Sequence, residues 1–600
     1  MLNLTSVDWL IVLFYFAVVL GTGITLKSSI KSTRDFLQAC RALPGWICGL
    51  TFIGVSLGAP EVIGLGGWGA RYGLHAAQFY LIGAIPAMLF VGLFMMPFYY
   101  GSKARSVPEF LRLRFDEKTR ALNAVLFAVM TVFSSGISLY VLARLIQALH
   151  LFDRIFYALG WAQGAFVLTV ALLALIVLAY VALSGLTGAM YNQVLQFFLL
   201  IAGLLPVVLL GLKNVGGWNA LKAAFSTASR PDLQGMLHSS ASPTGLNVIG
   251  VGVGLGLVLG AGYWCADFRV LQTAMAAKNL GSARRAPLIA AVPALLLPFL
   301  VIVPGLLAVT LPTPHTTEVV RNEGGVIYHE TTIVPKAAEE GRGLVPAKSD
   351  PVTGNLLPDA FGHPQLDYDM ATPNLMLHYL PNGLLGLGLA ALLASFMSGL
   401  AGNITAFNTV FTCDLYQAHI RKDATDEHYL AVGRWASVGA VLLSVAAAFA
   451  VLRFNSIMDV LFLVFAVVNA PLFATLLLGM FWKRATGHGA FVGLIAGPVA
   501  ALLHHGLTLP ANARPGVQGG WIAAVHHYPS IMAQNLWTAI FAFSAALMVT
   551  VVASLCTTPL PMPEFHGPSL VRKPGMWWKR PEAMATAILI AAIALGIFFY

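Results

Sequence analysis

Residues 45–70 read GWICGLTFIGVSLGAPEVIGLGGWGA, a run apolar and long enough to cross a bilayer yet interrupted at its middle. Pro60 lacks the N–H a helix needs and its ring crowds the preceding turn, and Gly58, Gly64, Gly66 and Gly67 favour unwound backbone. Backbone groups freed inside hydrocarbon are tolerated only against protein or a water-lined cavity. Glu61 stands in the interruption, and an ionisable side chain at that depth marks a functional site. A span built this way is a poor anchor and a good place for an ion and a solute.

The rest of the chain agrees with that reading. Of its 600 residues 58% are hydrophobic and 10% charged, and the mean hydropathy is +0.78. That composition excludes a soluble globular domain and indicates a polytopic, all-α membrane protein. The net charge of +10 does not indicate nucleic acid, because the Lys and Arg residues concentrate in alternate loops. The first apolar run, Val7 to Leu26, has no small-residue cleavage site after it and reads as a retained span. Cys40, Cys48, Cys265, Cys413 and Cys556 show no metal-ligand spacing and no disulfide framework.

Apolar runs of spanning length lie near 7–26, 46–71, 76–100, 119–149, 160–184, 187–212, 247–268, 285–310, 381–416, 431–453, 457–481, 487–506, 533–556 and 583–600, about fourteen in all. Basic residues fall after the first run (Lys27, Lys31, Arg34, Arg41), after the third (Lys103, Arg105, Arg112, Arg114) and before the eighth (Arg284, Arg285). They fall again after the ninth (Arg421, Lys422), after the eleventh (Lys483, Arg484) and before the last (Arg572, Lys573, Lys579, Arg580). All these loops share one side, so the positive-inside rule puts both termini outside. A second interrupted span, NVIGVGVGLGLVLGAGYWCADF at 247–268, carries six glycines from Gly250 to Gly262. Two sets of five spans, each opening on an interrupted member, predict an inverted five-plus-five repeat with a site at the membrane midplane. Close helix packing alone is the competing explanation of the glycines.

The expected organisation is a first span and cytoplasmic loop at 1–45, a first five-helix repeat at 46–212 and a second at 247–481. Three C-terminal spans at 482–600 follow, with an extracellular loop at 507–532 and a cytoplasmic loop at 557–582. The one long polar segment, 311–372, falls outside. TEVVRNEGGVIYHETTIV predicts a hairpin turning at Gly324-Gly325, and the segment is expected to be an accessible cap, dispensable for coupling, with Lys348 reachable from outside. The histidine pairs 504–505 and 526–527 lack the carboxylate or Cys spacing of a zinc site. There is no P-loop, no HExxH and no GxSxG, so an enzyme is not expected.

Several stretches together resemble the sodium/solute symporter family, in its sodium/glucose cotransporter-like branch. These are Val107-Pro108-Glu109-Phe110-Leu111, Tyr263-Trp264-Cys265-Ala266-Asp267, Ala276-Ala277-Lys278-Asn279, Phe411-Thr412-Cys413-Asp414-Leu415-Tyr416 and Leu478-Gly479-Met480-Phe481-Trp482-Lys483. The resemblance implies a leucine-transporter-like fold working by alternating access. It implies sodium as the coupling ion, held by the backbone carbonyls of Gly54 and Leu57 on the first broken helix and by the carbonyl of Ser395 and hydroxyl of Ser398. Where relatives often place a second serine, this chain has Gly399. Where several carry an aspartate tied to a further cation, it has Gln193, so one ion at most is expected there.

The sugar contacts of relatives map to Glu61, Tyr80, Gly260 and Ala294, all changed in type, while Tyr263 persists beside Trp264. The expected solute-site residues are therefore Glu61, Tyr80, Tyr263 and Trp264. Asp267 and Arg269, at the inner end of the second broken span, read with Tyr263 as an inner gate or equally as interface residues. The expected function is sodium-coupled symport of a small polar solute, a sugar or derivative, in the plasma or inner membrane, with the lipid bilayer and no nucleic acid as partner. The sequence does not indicate an oligomeric state. A proton-coupled or uncoupled carrier is the alternative, and a nutrient sensor on the same scaffold the alternative of another class.

Overall fold

The computed structural model describes residues 4–27, 32–148, 165–227, 249–311, 314–323, 326–335, 341–348, 356–357, 364–451, 457–511, 513–559 and 580–598. Among these residues nine helices are long and apolar enough to cross a membrane, and three further pairs of helices join at sharp bends. Two shorter apolar helices, Val167–Leu178 and Pro581–Ile597, accompany them. The chain is thus a helical, multi-pass membrane protein. Its outward surface is greasy as lipid contact requires, with Leu10, Leu13, Phe14, Leu442 and Met548 among the exposed residues.

The first bend falls where the sequence placed it. Gly45–Gly54 and Ala59–Ala77 meet at 55°; they are called the inner and the outer arm after the charge pattern of the sequence, in which Arg41 precedes the first. Pro60 opens the outer arm rather than kinking a continuous helix, since its missing N–H is one the first turn leaves unpaired anyway.

The second bend corrects the expectation. The glycines from 250 to 262 lie in a continuous helix, Gly250–Ala266, much of it in wide π-type turns. The break comes at Asp267, and an inner arm, Phe268–Met275, continues at 50°. The span is longer than 247–268, and Gly254, Gly256 and Gly260 in it serve packing. A side chain on Gly260 would collide with the backbone of Gly83, so the Phe79–Gly101 helix lies backbone against backbone on the Gly250–Ala266 arm. A third pair, Leu280–Ala294 and Pro298–Thr310, bends by 45° near Pro293 and Pro298.

Around the breaks stand the Glu117–Ala148, Leu384–Thr409 and Ile457–Phe481 helices. Leu384–Thr409 is buried over nearly its whole length, a central position that its unbroken apolar sequence anticipates. In the polar segment Pro314–Glu323 pairs antiparallel with Val326–Pro335, with Glu323 opposite Val326; the Gly324-Gly325 pair expected at the turn lies outside the described residues.

Candidate ion and solute site

The inner arm of the first broken helix ends in a tight turn. Leu57 N–H reaches back to Gly54 O at 3.1 Å, and Gly58 is extended before the outer arm starts. Unwinding turns two carbonyls sideways, toward Leu384–Thr409. Ser398 donates its hydroxyl to Gly54 O at 2.9 Å, and Ser395 donates its hydroxyl to Leu57 O at 2.7 Å. The four residues inferred as cation ligands therefore occupy one buried spot. One detail differs from expectation: it is the Ser395 hydroxyl, on the face one turn from Ser398, that meets Leu57. Four neutral oxygens, two hydroxyl and two carbonyl, form a hard set suited to a monovalent cation. Gln193 joins this spot, its amide donating to Ser398 O at 3.4 Å.

Gly399 has a structural reason. A Cβ built there would lie 2.9 Å from Gly58 Cα, closer than non-bonded carbon atoms approach. The unwound chain rests directly on the Leu384–Thr409 helix at this residue. The serine common in relatives does not fit without moving the break.

Glu61 is the third residue of the outer arm, at the positive end of that helix. Its carboxylate lies 3.9 Å from Arg269 Nη1 and 3.5 Å from the Tyr263 hydroxyl. Arg269 also pairs with Asp267 at 3.2 Å, donates to Asn403 Oδ1 at 3.2 Å and to Ser134 Oγ at 3.3 Å, and lies over the Tyr263 ring. Asp267 caps the second inner arm by accepting the Arg269 N–H at 2.9 Å. Asp267 and Arg269 thus stand at the second break, not at the inner end of the span, because the helix continues beyond them to Met275. The Glu61–Arg269 pair bridges the two breaks.

Aromatic rings lie on both sides of Glu61. Trp264 stacks on Phe52 of the first inner arm at 5.9 Å and meets Tyr263 edge-on at 4.8 Å. On the other side Trp68 packs on Phe462 at 4.8 Å, Phe462 on Phe79 at 5.8 Å and Phe79 on Tyr80 at 5.2 Å. Tyr80, Tyr263 and Trp264 are all buried. Sequence reasoning did not name Phe52, Trp68, Phe79 and Phe462 of these stacks, nor Ser134 and Phe465, which face Arg269 from neighbouring helices. None carries a signal in an apolar run, since a serine or an aromatic residue there is ordinary packing.

Away from the centre, two polar clusters tie helix ends together. In the first, Ser106 caps Val107–Arg114 and donates to Asp414, which pairs with Arg120 at 2.8 Å. Glu109 pairs with Arg105 at 3.0 Å. Burial works to raise the Glu109 pKa, but the hydrogen bonds and charge of Arg105 outweigh it and hold the carboxyl below its ordinary value.

In the second cluster Arg144 pairs with Asp367 at 2.7 Å, Asp369 accepts the Ile457 N–H at 3.2 Å, and Arg71 lies 3.7 Å from Asp459. Burial, with the charge of Asp367, pushes Asp369 up to about 7. Lys348, expected to be accessible, is only 6% exposed, and burial lowers its pKa. The polar segment is packed onto the helix ends here, because its acids need the arginines those ends present.

A model of the sodium:solute symporter family matches residues 36–332 and 347–497. A sodium/glucose cotransporter from Vibrio parahaemolyticus is 27% identical over 503 residues, 82% of this chain and 84% of that protein. A human sodium/myo-inositol cotransporter is 26% identical over 587 residues, 93% of this chain and 74% of that one. Among solved structures, a substrate-bound, outward-open sodium-coupled sialic acid symporter superposes with a TM-score of 0.69 at 17% identity. It covers 92% of this chain and 99% of its own, a likeness of fold.

Proposed function

Because the chain belongs to the sodium:solute symporter family, and is a sodium-coupled solute symporter on that ground, we propose that its cargo is a neutral polyhydroxylated solute of the sugar or inositol class. The relatives named for glucose and myo-inositol cover most of the chain. In this reading the cargo binds between Glu61, Tyr80, Tyr263 and Trp264. Sodium binds to Gly54, Leu57, Ser395 and Ser398, and Tyr263, Asp267 and Arg269 seal the path toward the cytoplasm.

The observation that carries this is the meeting of Ser395 and Ser398 with the two carbonyls of the first break, one turn from Glu61. A cation bound there would brace the break, and the break holds the carboxylate facing the solute. Ion binding and solute binding would then favour the same arrangement, which is the requirement for coupling.

The fourteen spans, the inverted repeat and the division at 46–212 and 247–481 belong to this proposal, as do the outer placement of 311–372 and the plasma or inner membrane. The first two broken helices of the described residues bend by 55° and 50°, and with their arms labelled by the positive-inside rule the first runs inner to outer and the second outer to inner, the order an inverted repeat requires. The experiment is uptake of D-glucose and myo-inositol into proteoliposomes. An inward sodium gradient is expected to drive accumulation, with choline giving none. Accumulation that follows a proton gradient and ignores sodium would sink the sodium assignment.

A further inference from the structure

A polar cavity of about 340 Å³ lies on the side where the basic loops gather, the cytoplasmic side by the positive-inside rule. That volume is within the range of small-molecule sites. No residue invoked for the ion, the solute or the gate lines it. Four separate segments wall it: the Thr33–Gln38 helix with Arg41, the turn at 103–105, the end of the Leu384–Ile420 span at 412–417, and the start of the Asp426–Val451 helix. Three cations, Arg41, Lys103 and Arg105, share the wall with one carboxylate, Asp426.

Two of the cations are fixed by the fold. Arg41 Nη2 donates to Ala104 O at 2.6 Å, with its guanidinium over the Tyr100 ring at 5.2 Å. Arg105 pairs with Glu109 and donates to Gln417 Oε1 at 2.9 Å. Lys103 is exposed and pairs with no carboxylate among the described residues. Asp426 accepts the Thr33 N–H at 2.9 Å, so even with Glu109 counted the cations outnumber the acids. Thr412 is buried, and its hydroxyl has no hydrogen-bond partner among the described residues, a donor left for an incoming acceptor. The backbone agrees with the side chains. Ala39, Arg41 and Lys103 are the three non-glycine residues with positive φ among the described ones, at 46°, 50° and 57°. Strained backbone of this kind gathers at ligand clamps. Two of the three line the cavity, and Ala39 belongs to the same turn as Arg41.

We propose that this cavity is a cytoplasmic site for a phosphate monoester, whose terminal oxygens meet the Lys103 ammonium, the Thr412 hydroxyl and the charge of Arg41. A monoester brings negative charge and several strong acceptor oxygens to such a convergent set. The remaining space, walled by Gln38 and Gln417, takes a small hydroxylated body. That chemistry belongs equally to a soluble polyol phosphate and to a phosphatidic acid headgroup. The site also adjoins the transport path. Leu37, Gln38, Arg41 and Arg105 line a narrow crevice together with Phe268, Gln272 and Met275 of the second inner arm. An occupant that ties the 33–41 and 103–105 segments together holds that arm in place and slows release of solute into the cytoplasm. This last step rests on the sodium-coupled symport reading, and binding of the ester does not.

The test is calorimetric titration of the purified full-length protein with myo-inositol monophosphate, and with dioctanoyl phosphatidic acid against dioctanoyl phosphatidylcholine. Lys103→Gln is expected to weaken binding of the monoester about ten-fold and Thr412→Val about five-fold, while Tyr263→Ala, in the central site, leaves it unchanged. Lys103-dependent binding of the soluble ester assigns the site to a soluble phosphate; Lys103-dependent binding of phosphatidic acid alone assigns it to the lipid. Binding that neither Lys103→Gln nor Thr412→Val weakens would place the anion elsewhere and overturn the site, as would binding of neither monoester. The second arm traps the bound monoester inside right-side-out membrane vesicles, or adds phosphatidic acid to them, and follows sodium-driven uptake of D-glucose or myo-inositol. Uptake by the wild type should slow more than that by Lys103→Gln, and an equal response in both would overturn the hold on the inner arm. Absence of sodium-driven uptake from every vesicle would count against the symport reading and leave the titrations to decide the site.

Discussion

Ser398 and Gly399 sit side by side and ask for opposite experiments. Removing the Ser398 hydroxyl takes away an oxygen that no neighbouring serine replaces. A lost hydrogen-bonding or ligand group of this kind costs about 1 kcal/mol, roughly a five-fold rise in half-saturating sodium. Transport measured against sodium in Ser398→Ala is expected to show that rise, and an unchanged value would mean the ion is held elsewhere. Gly399→Ser adds an oxygen on paper. In the structure its Cβ meets Gly58 Cα at 2.9 Å, so the variant is expected to lose sodium-driven uptake rather than gain affinity. The departure from relatives at this residue is a packing fact that the sequence could not express. Glu61→Gln should keep the fold, since Arg269 retains Asp267, and should change solute affinity or the pH dependence of uptake. Wild-type transport at every pH from about 5 to 8 would reduce Glu61 to a local backbone partner.

Elements meet through their ends, and the ends are where the sequence motifs acquire a reason. Val107-Pro108-Glu109-Phe110-Leu111 and the Asp414 motif are three hundred positions apart and connect through Ser106, Asp414 and Arg120. Asp414→Asn removes the buried partner of Arg120 and leaves it only the half-exposed Glu117 at 3.2 Å, so the expected loss stays below the roughly 3–5 kcal/mol of a wholly unpaired buried charge. A thermal melt unchanged by that substitution would show the pair to be incidental. The 367–369 turn offers a pH test. Asp369 holds a proton up to about pH 7, whereas its ordinary value is 3.8. The packed turn therefore binds more protons than the unfolded chain, and its stability declines as pH rises from about 4 toward 7, then levels. The wild-type melting temperature should fall across that window more than that of Asp369→Asn; parallel curves would place the titration elsewhere.

At this scale the sequence showed where the first helix breaks, because Pro60 and Glu61 are unambiguous. It misplaced the second break, because a row of glycines looks like unwinding when the chain stays helical through it and Gly260 is there for backbone contact with Gly83. The break itself is made by one capping aspartate, Asp267, which a pattern of apolar residues does not reveal.

For the whole molecule the question is which way the two broken helices point, since everything said of inner and outer paths depends on it. Charge legible in the sequence puts the basic loops, with the end of Ile531–Cys556, on one side and the polar segment on the other. Lys348, expected to be a convenient reporter, is buried against the acids of its own segment. Leu356 is 55% exposed and serves instead. Cys556 is an exposed free thiol, whereas Cys48, Cys265 and Cys413 are buried, so the native chain carries its own control for the opposite side. In a Cys40→Ser background, an impermeant thiol reagent on intact cells should label Leu356→Cys when Cys556 is also replaced by serine, and should label Cys556 itself only after permeabilisation. The reverse pattern would turn the molecule over. The Trp68 stack would then face the cytoplasm and the Trp264 stack the exterior.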